Sequence, residues 1–518
     1  MAPIRNILIV GGGTAGWLAA CFLAKMLGAK ADGAVQITLV ESPEIGIIGV
    51  GEGTFPSIRG TLSLIGIDEA RFIRECNATF KQGVRFNHWV RPAGAPGPDH
   101  YFHPFSQPSQ RPGGPELLPY WLMGAAGNVP FAAAATLQKH VADMSHGPKR
   151  VTDGDFLGPL NYAYHFDAGR FAALLCTHAQ TLGVRRVEAT VEDVTLDGEG
   201  AIDSVVTREA GVLRGDLYID CTGFRARLIG EALGSPFRNI SDTLFVDRAL
   251  AMQVPYERPD APIPSYTIST AHEAGWTWDI GLHERRGIGY VYSSRHTSDE
   301  RADEVLRGYI GKASEGRTPR LLKLNVGYRE TQWVKNCVAI GLSSGFLEPL
   351  ESSGIGLIEA ATYLVGFLFP HDGNLAPVAK TFNAQMKARY ERIVDFIKLH
   401  YCLTQRRDNA FWIENADPAT IPESLRDQLA MWRARPPHRL DFVTDLEMYP
   451  PSSWQYVLYG MEFATTLHAN RAALPELDAA KREFQTIAQL CHHAVKDLPP
   501  HRALVDHYLR RGEGLRRA

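Results

Sequence analysis

The sequence predicts a Rossmann-like α/β body with an inserted β-sheet and a helical C-terminal part, and three observations carry that expectation. Ile7-Leu8-Ile9-Val10 is a short, uninterrupted, β-branched run, as a strand buried on both faces requires. Gly11-Gly12-Gly13-Thr14-Ala15-Gly16 follows it and opens a helical pattern through Trp17, Leu18, Cys21, Phe22 and Met26. A second strand, Val35 to Val40, then ends at Glu41. From Pro377 onward, Phe382, Met386, Tyr390, Ile393, Ile397 and Tyr401 recur three or four residues apart, the apolar stripe of one long helix.

The remaining elements fit around these. Residues 91–119 hold eight prolines, and because proline lacks a donor and fixes its own φ, the segment is predicted as a loop rather than sheet interior. A loop of that length in a compact protein is usually functional, and its aromatics Tyr101, Phe102 and Phe105 favour an ordered one. Phe166 to Leu182 reads as a helix, with strands near 186–206, at Leu217 to Asp220, within 245–295 and at Val338 to Ile340. The expected division is a body over 1–400 carrying the inserted sheet and the 91–119 loop, then a mostly helical part over 401–518, broken by prolines at 436–437 and 450–451.

Composition excludes several classes. With 54 Lys+Arg against 57 Asp+Glu, the formal net charge is −3 and no basic footprint for nucleic acid exists. No run of about 18 apolar residues is present, so no membrane span is expected. The first ten residues lack a secretory pattern. Seven scattered cysteines, odd in number and without a CxxC, point to reduced thiols in a cytoplasmic protein with no metal centre. Nothing in the sequence marks an oligomer interface.

Gly11-x-Gly13-x-x-Gly16 is a weak signal alone, but here it follows a strand, opens a helix and precedes an acid, Glu41, by 25 residues. Gly11 permits the tight turn, Gly13 lets backbone approach a pyrophosphate, and Gly16 lets helix and strand pack closely. Thr14 and Ala15 sit at the helix N-terminus, whose N–H groups favour phosphate. Glu41 would accept hydrogen bonds from a ribose. Only one such fingerprint occurs. Asp220-Cys221-Thr222-Gly223-Phe224, after a predicted strand, resembles the returning segment of FAD-binding folds of the monooxygenase and glutathione-reductase type, which implies FAD. Gly341, ending the Val338–Ile340 strand, and Val50 are counted among the cofactor contacts.

Further stretches carry a more specific resemblance. Gly49-Val50-Gly51-Glu52-Gly53-Thr54 precedes Lys81 in Phe80-Lys81-Gln82-Gly83. Trp276-Thr277-Trp278-Asp279-Ile280-Gly281 matches most of a WxWxIP motif, Tyr164-His165-Phe166-Asp167 opens the central helix, and Phe346-Leu347-Glu348-Pro349-Leu350-Glu351-Ser352-Ser353-Gly354-Ile355 follows the Val338–Ile340 strand. Together they resemble the flavin-dependent tryptophan halogenase family over roughly residues 5–370. The resemblance implies that FADH2 from a separate, transiently bound flavin reductase reacts with O2, that chloride or bromide is oxidised to hypohalous acid, and that the acid travels to a lysine beside a small aromatic substrate. Lys81 is similar to that lysine and Glu351 to the carboxylate that takes the ring proton. Ser353 and Gly354 resemble the halide-binding pair at a helix N-terminus. His103 and Phe105 resemble the pair that sandwiches the substrate ring, and Trp276 and Trp278 resemble the tryptophans separating flavin from substrate.

Gly281 stands where the motif has proline, and is expected to loosen the strand's end. Met448 to Trp454 does not match the Tyr-rich, acid-bearing segment with which the family's tryptophan enzymes grip the amino-acid backbone. Free tryptophan is therefore disfavoured, and the expected substrate is an electron-rich aromatic, indolic first of all: a simpler indole, another arene or a peptide-borne side chain, with Trp454 lining its site. Gly341-Leu342-Ser343-Ser344-Gly345 also satisfies GxSxG, but a turn rather than a helix is expected after it, against a hydrolase elbow. Two other readings stay open: a flavin monooxygenase or oxidase on the same fold, and a non-catalytic flavin-binding homologue.

Overall fold

The computed structural model describes residues 2–46, 52–443, 447–467 and 473–511. The chain forms two compact units. One comprises Met1–Asn77, Phe166–Ser241 and Leu324–Glu391, the other Ala78–His165, Asp242–Lys323 and Arg392–Ala518.

The first unit is built on a six-stranded sheet in the order Trp333–Val334, Cys337–Ala339, Leu217–Asp220, Asn6–Val10, Gln36–Glu41, Arg185–Glu188, parallel except for its first strand. Ile7 to Val10 are all buried, as their continuous apolar pattern requires. The helix Thr14–Met26 returns from the first strand and packs against the helices Ala168–Thr181 and Ser353–Phe367. Asp167 caps the second of these, its carboxylate accepting from the Arg170 N–H at 3.0 Å. This is the Rossmann-like arrangement that the glycine fingerprint predicts.

The second unit holds a seven-stranded sheet, Arg320–Lys323, Arg248–Pro255, Arg285–Tyr292, Gly275–Gly281, Thr267–Ala271, Gly83–Asn87 and His100–Pro104. Its strands are antiparallel apart from the parallel pairing of Thr267–Ala271 with Gly83–Asn87. The inserted sheet read from residues 245–295 is thus present, but the proline-rich segment supplies its edge. His100–Pro104 is a strand rather than loop, and Pro104 is its last residue on the sheet edge, where a missing donor costs no ladder hydrogen bond. Beyond 400 come the helices Ala410–Asn415, Glu423–Trp432, Pro451–Gly460, Leu477–Asp497 and His501–Arg510.

Gly281 also corrects an expectation. It does not loosen the strand: Gly275–Gly281 is buried throughout, and a Cβ on Gly281 would lie 2.9 Å from both Ile263 Cγ2 and the Tyr256 hydroxyl. All seven cysteines are free thiols. Among the described residues no cluster of His, Cys, Asp and Glu could hold a metal, and no helix is long and apolar enough to cross a membrane.

Candidate active site

In the first unit the glycine loop forms a cradle that side chains would fill. Gly11 adopts φ +112°, and a Cβ there would lie 2.6 Å from the Cys221 carbonyl carbon of the neighbouring strand's end. A Cβ on Gly16 would collide with the Gly11 carbonyl oxygen, whereas around Gly13 there is open space within 4 Å. Gly13 caps the helix that begins at Thr14 with no side-chain hydrogen bond, so no side chain competes for the first-turn N–H groups. Ala15 closes the other side, its Cβ 2.7 Å from where one would project from Gly341, itself at φ +77°. These residues fit the pyrophosphate of a dinucleotide such as FAD.

Glu41 lies across the loop. Its carboxylate accepts from Arg186 Nε at 2.6 Å and from Trp17 Nε1 at 3.2 Å, leaving part of its four-site acceptor capacity for a ribose diol. Sequence reasoning misses Arg186 and Trp17 as contributors, because neither stands at a motif position. Asp220 shapes the returning turn: one oxygen accepts from the Thr222 N–H and hydroxyl at 2.9 and 2.6 Å, the other from the Leu228 and Ile229 N–H groups at 2.9 and 2.8 Å. Burial raises its carboxyl above the ordinary range, against those four donors. Val50 and the Gly49–Gly51 part of its motif lie outside the described residues.

The GxSxG decoy is structural. Ser343 Oγ donates to the Asp220 carbonyl and, at 3.1 Å, to that of Ile340, while Ser344 Oγ pairs with the Tyr390 hydroxyl at 2.9 Å.

Before the helix Ser353–Phe367, two consecutive non-glycine residues are left-handed: Glu351 at φ 60°, ψ 11° and Ser352 at φ 59°, ψ 38°. Each costs about 1–2 kcal/mol, and such strain concentrates where geometry serves function. The turn buries Glu351 and Ser353 and leaves Gly354 exposed, with open space within 4 Å of a Cβ. No side chain caps this helix, so its positive end can take a small anion.

In the second unit Lys81 is fully buried on the strand Thr79–Lys81, its ammonium 5.3 Å from the centroid of the Phe105 ring. His103 is buried, lying edge-on to Phe105 at 6.4 Å and to Phe396 at 5.9 Å. Trp454 is fully buried with its ring 5.0 Å from Phe396, which stacks on Tyr449 at 3.9 Å. A run of contacts thus leads from Lys81 through Phe105, His103 and Phe396 to Trp454, and sequence reasoning did not assign Phe396 to it. His165 registers the lysine electrostatically: burial first, then the Lys81 charge, hold its imidazole well below its usual range. Trp276 and Trp278 stand on one strand, buried and edge-to-face at 6.5 Å, with Trp89 behind Trp276 at 6.2 Å.

A dinucleotide cradle on a Rossmann-like sheet, in a chain whose second unit buries a lysine against an aromatic ring, is an arrangement that fits a flavoprotein oxidoreductase. More narrowly, the chain belongs to the tryptophan halogenase family, whose sequence model matches residues 6–476. It is 36% identical over 514 residues, 95% of this chain and 96% of the relative, to the tryptophan 6-halogenase SttH of Streptomyces toxytricini. A tryptophan halogenase structure from Shewanella frigidimarina superposes with a TM-score of 0.93 at 41% identity, covering 98% of each chain. The flavin-dependent halogenase BrvH from Brevundimonas does so with a TM-score of 0.87 at 34% identity, covering 97% and 99%. The chain is a flavin-dependent halogenase, an enzyme of a family that uses FADH2, O2 and halide.

Proposed function

We propose that this halogenase acts on an indole-type arene other than free tryptophan, using chloride or bromide and FADH2 from a separate reductase. When bound, FADH2 supplies the two electrons with which O2 and a proton convert halide to hypohalous acid, water and FAD. Gly11, Gly13, Thr14, Ala15, Gly16, Glu41, Val50 and Gly341 hold the cofactor, and Ser353 and Gly354 hold the halide. Lys81 receives hypohalous acid and donates a hydrogen bond to its oxygen, raising the electrophilicity of the halogen. The substrate ring packs against Phe105, which His103 meets edge-on at 6.4 Å with no room for a ring between the two, and Trp454 lies farther along the same run of rings. Attack by the ring carbon breaks the O–X bond, the leaving oxygen takes a proton from the Lys81 ammonium and departs as water, and Glu351 accepts the proton the ring then loses. Trp276 and Trp278 keep substrate from the flavin, and the helices of 401–518 cover the substrate side.

The single observation that carries this reading is Lys81, a fully buried cation whose ammonium faces the Phe105 ring, with His103 edge-on to that ring. Lys149 and Lys398 are equally buried over rings, and what singles out Lys81 is the ring it faces, Phe105, with His103 edge-on beside it. The second reading, free tryptophan, is favoured by the names of the relatives. Mass spectrometry of a reaction with FAD, reductase, NADH, O2, bromide and a panel of indoles including tryptophan separates the two, beside Lys81→Ala. A one-to-one bromine doublet from the parent and none from the variant is expected, on indoles other than tryptophan. Bromotryptophan as the main product would refute the substrate assignment, and hydroxylated product would refute the halogen transfer.

A further inference from the structure

We propose that His501, on the C-terminal helix His501–Arg510, is a positioning residue for halogenation: it fixes the backbone of the strand that carries Lys81. The inference rests on the role given to Lys81 above.

The strand Thr79–Lys81 has three residues and lies at the edge of its small sheet, paired with Ala163–Phe166 through Phe80↔Tyr164 and Lys81↔Ala163. So short a strand has few ladder bonds, and on its open edge the Phe80 N–H points away from any partner strand. His501 occupies that edge. The Phe80 N–H donates to its Nε2 at 3.0 Å, while Nδ1 of the same ring lies 2.9 Å from the Ile263 carbonyl. A carbonyl only accepts, so Nδ1 carries the proton and Nε2 offers its lone pair. Only the neutral Nδ1–H tautomer satisfies both contacts. Burial holds the ring in that form, its pKa pushed down to about 4.

The anchor is itself held. The His501 N–H donates to the Ser145 carbonyl at 2.8 Å, Arg502 Nε to that of Ala261 at 2.5 Å, and the imidazole packs edge-on against Phe80 at 6.0 Å. On the other side of Lys81, the Gln82 N–H donates to the Ser265 carbonyl at 2.6 Å, and the Gln82 carbonyl accepts from the Phe105 N–H at 3.0 Å. The lysine is thus bracketed, and the second bracket carries the ring its ammonium faces. Removing the imidazole leaves a buried N–H unsatisfied, and the cheapest relief is a rotation of the strand. That rotation moves Lys81 relative to Phe105. His501 lies 421 residues from Phe80 and beyond residue 476, where the family match ends.

The test compares the full-length parent, His501→Ala, His501→Gln and Lys81→Ala with FAD, reductase, NADH, O2, bromide and indole. Four quantities are read: hydrogen exchange at the Phe80 amide, brominated indole, hypobromite captured by a dimedone-type trap, and FAD affinity. His501→Ala should speed exchange at Phe80 and cut product about tenfold, the loss of one buried hydrogen bond, while trapped hypobromite rises and FAD affinity stays at the parent value. His501→Gln, whose Oε1 can accept from Phe80, should restore most of the product. If His501→Ala does not fold, His501→Asn, too short to reach Phe80, replaces it with the same expectation. A parent-like ratio of product to trapped hypobromite, in a series where Lys81→Ala makes no product, would overturn the inference alone. Product from Lys81→Ala would overturn the role of Lys81, and the inference with it.

Discussion

Gly289 is the sharpest test of the aromatic wall. It lies directly opposite Trp278 in the pairing of Gly275–Gly281 with Arg285–Tyr292, and the indole lies across it. The three atoms nearest a Cβ at this position are all Trp278 ring carbons, and even the third, Cε2, is at 2.7 Å. Carbon atoms rest about 3.5–4.0 Å apart and the two nearer ring carbons are closer still, so Gly289→Ala forces the indole back by roughly 1.5 Å. Trp278 has little room to yield, being 6% exposed and wedged against Trp276. Such overpacking costs about 1–3 kcal/mol. A double-mutant cycle isolates the cause: in a Trp278→Leu background the collision is absent, and Gly289→Ala should cost less than about 0.5 kcal/mol. Thermal unfolding of the four proteins reads the cycle as a fall of a few degrees for Gly289→Ala that shrinks when Trp278 is absent. Product measured on the same samples should fall with the displaced indole. Additive shifts, or a Gly289→Ala protein with parent stability and parent product, would refute the geometry.

Three further outcomes follow from named contacts. Gly16→Val, colliding with the Gly11 carbonyl oxygen, should abolish FAD retention, read from the flavin absorbance of the purified protein. Asp220→Ala strands the buried Leu228 and Ile229 N–H groups and should cost about 2–4 kcal/mol, read as a lowered unfolding temperature that Asp220→Asn recovers in part. Glu359 accepts from Thr61 and Ser57 hydroxyls at 2.5 and 2.7 Å, yet burial raises its carboxyl from 4.5 to about 7. A raised acid stabilises the fold fully below the unfolded value and loses that stability as pH rises through the folded one. Glu359 should therefore make the parent progressively less stable between about pH 4.5 and 7, by at most about 3 kcal/mol. Glu359→Gln should flatten that slope, and parallel profiles for parent and variant would exclude it.

What the sequence made legible was local. The cradle could be read because Gly11, Gly13 and Gly16 act through their own backbone, within six residues of one another. The long helix and the buried first strand could be read because burial writes its period into consecutive residues. Non-local placement stayed hidden. His100–Pro104 looked like loop because proline count cannot distinguish an edge strand, where a missing donor is tolerated, from irregular chain. Phe396, Tyr449 and Trp454 meet across more than fifty residues, and no spacing announces them. The left-handed pair Glu351 and Ser352 was equally invisible, since neither residue type advertises a positive φ.

Gly281 shows how such hidden contacts change the meaning of a motif. Judged by sequence alone, the missing proline suggests a slack strand end and weakens the case for a working wall. The structure closes that end by other means. The Thr79 hydroxyl donates to the Gly281 carbonyl at 2.6 Å, and the Tyr256 hydroxyl donates to that of Leu282 at 2.8 Å. Tyr256 and Ile263 fill the space that a side chain at 281 would need. The departure is thus a repacked solution in which hydroxyls supply the rigidity that a proline ring would impose. Thr79 also belongs to the strand of Lys81, so the bond that secures the tryptophan strand ties it to the lysine strand.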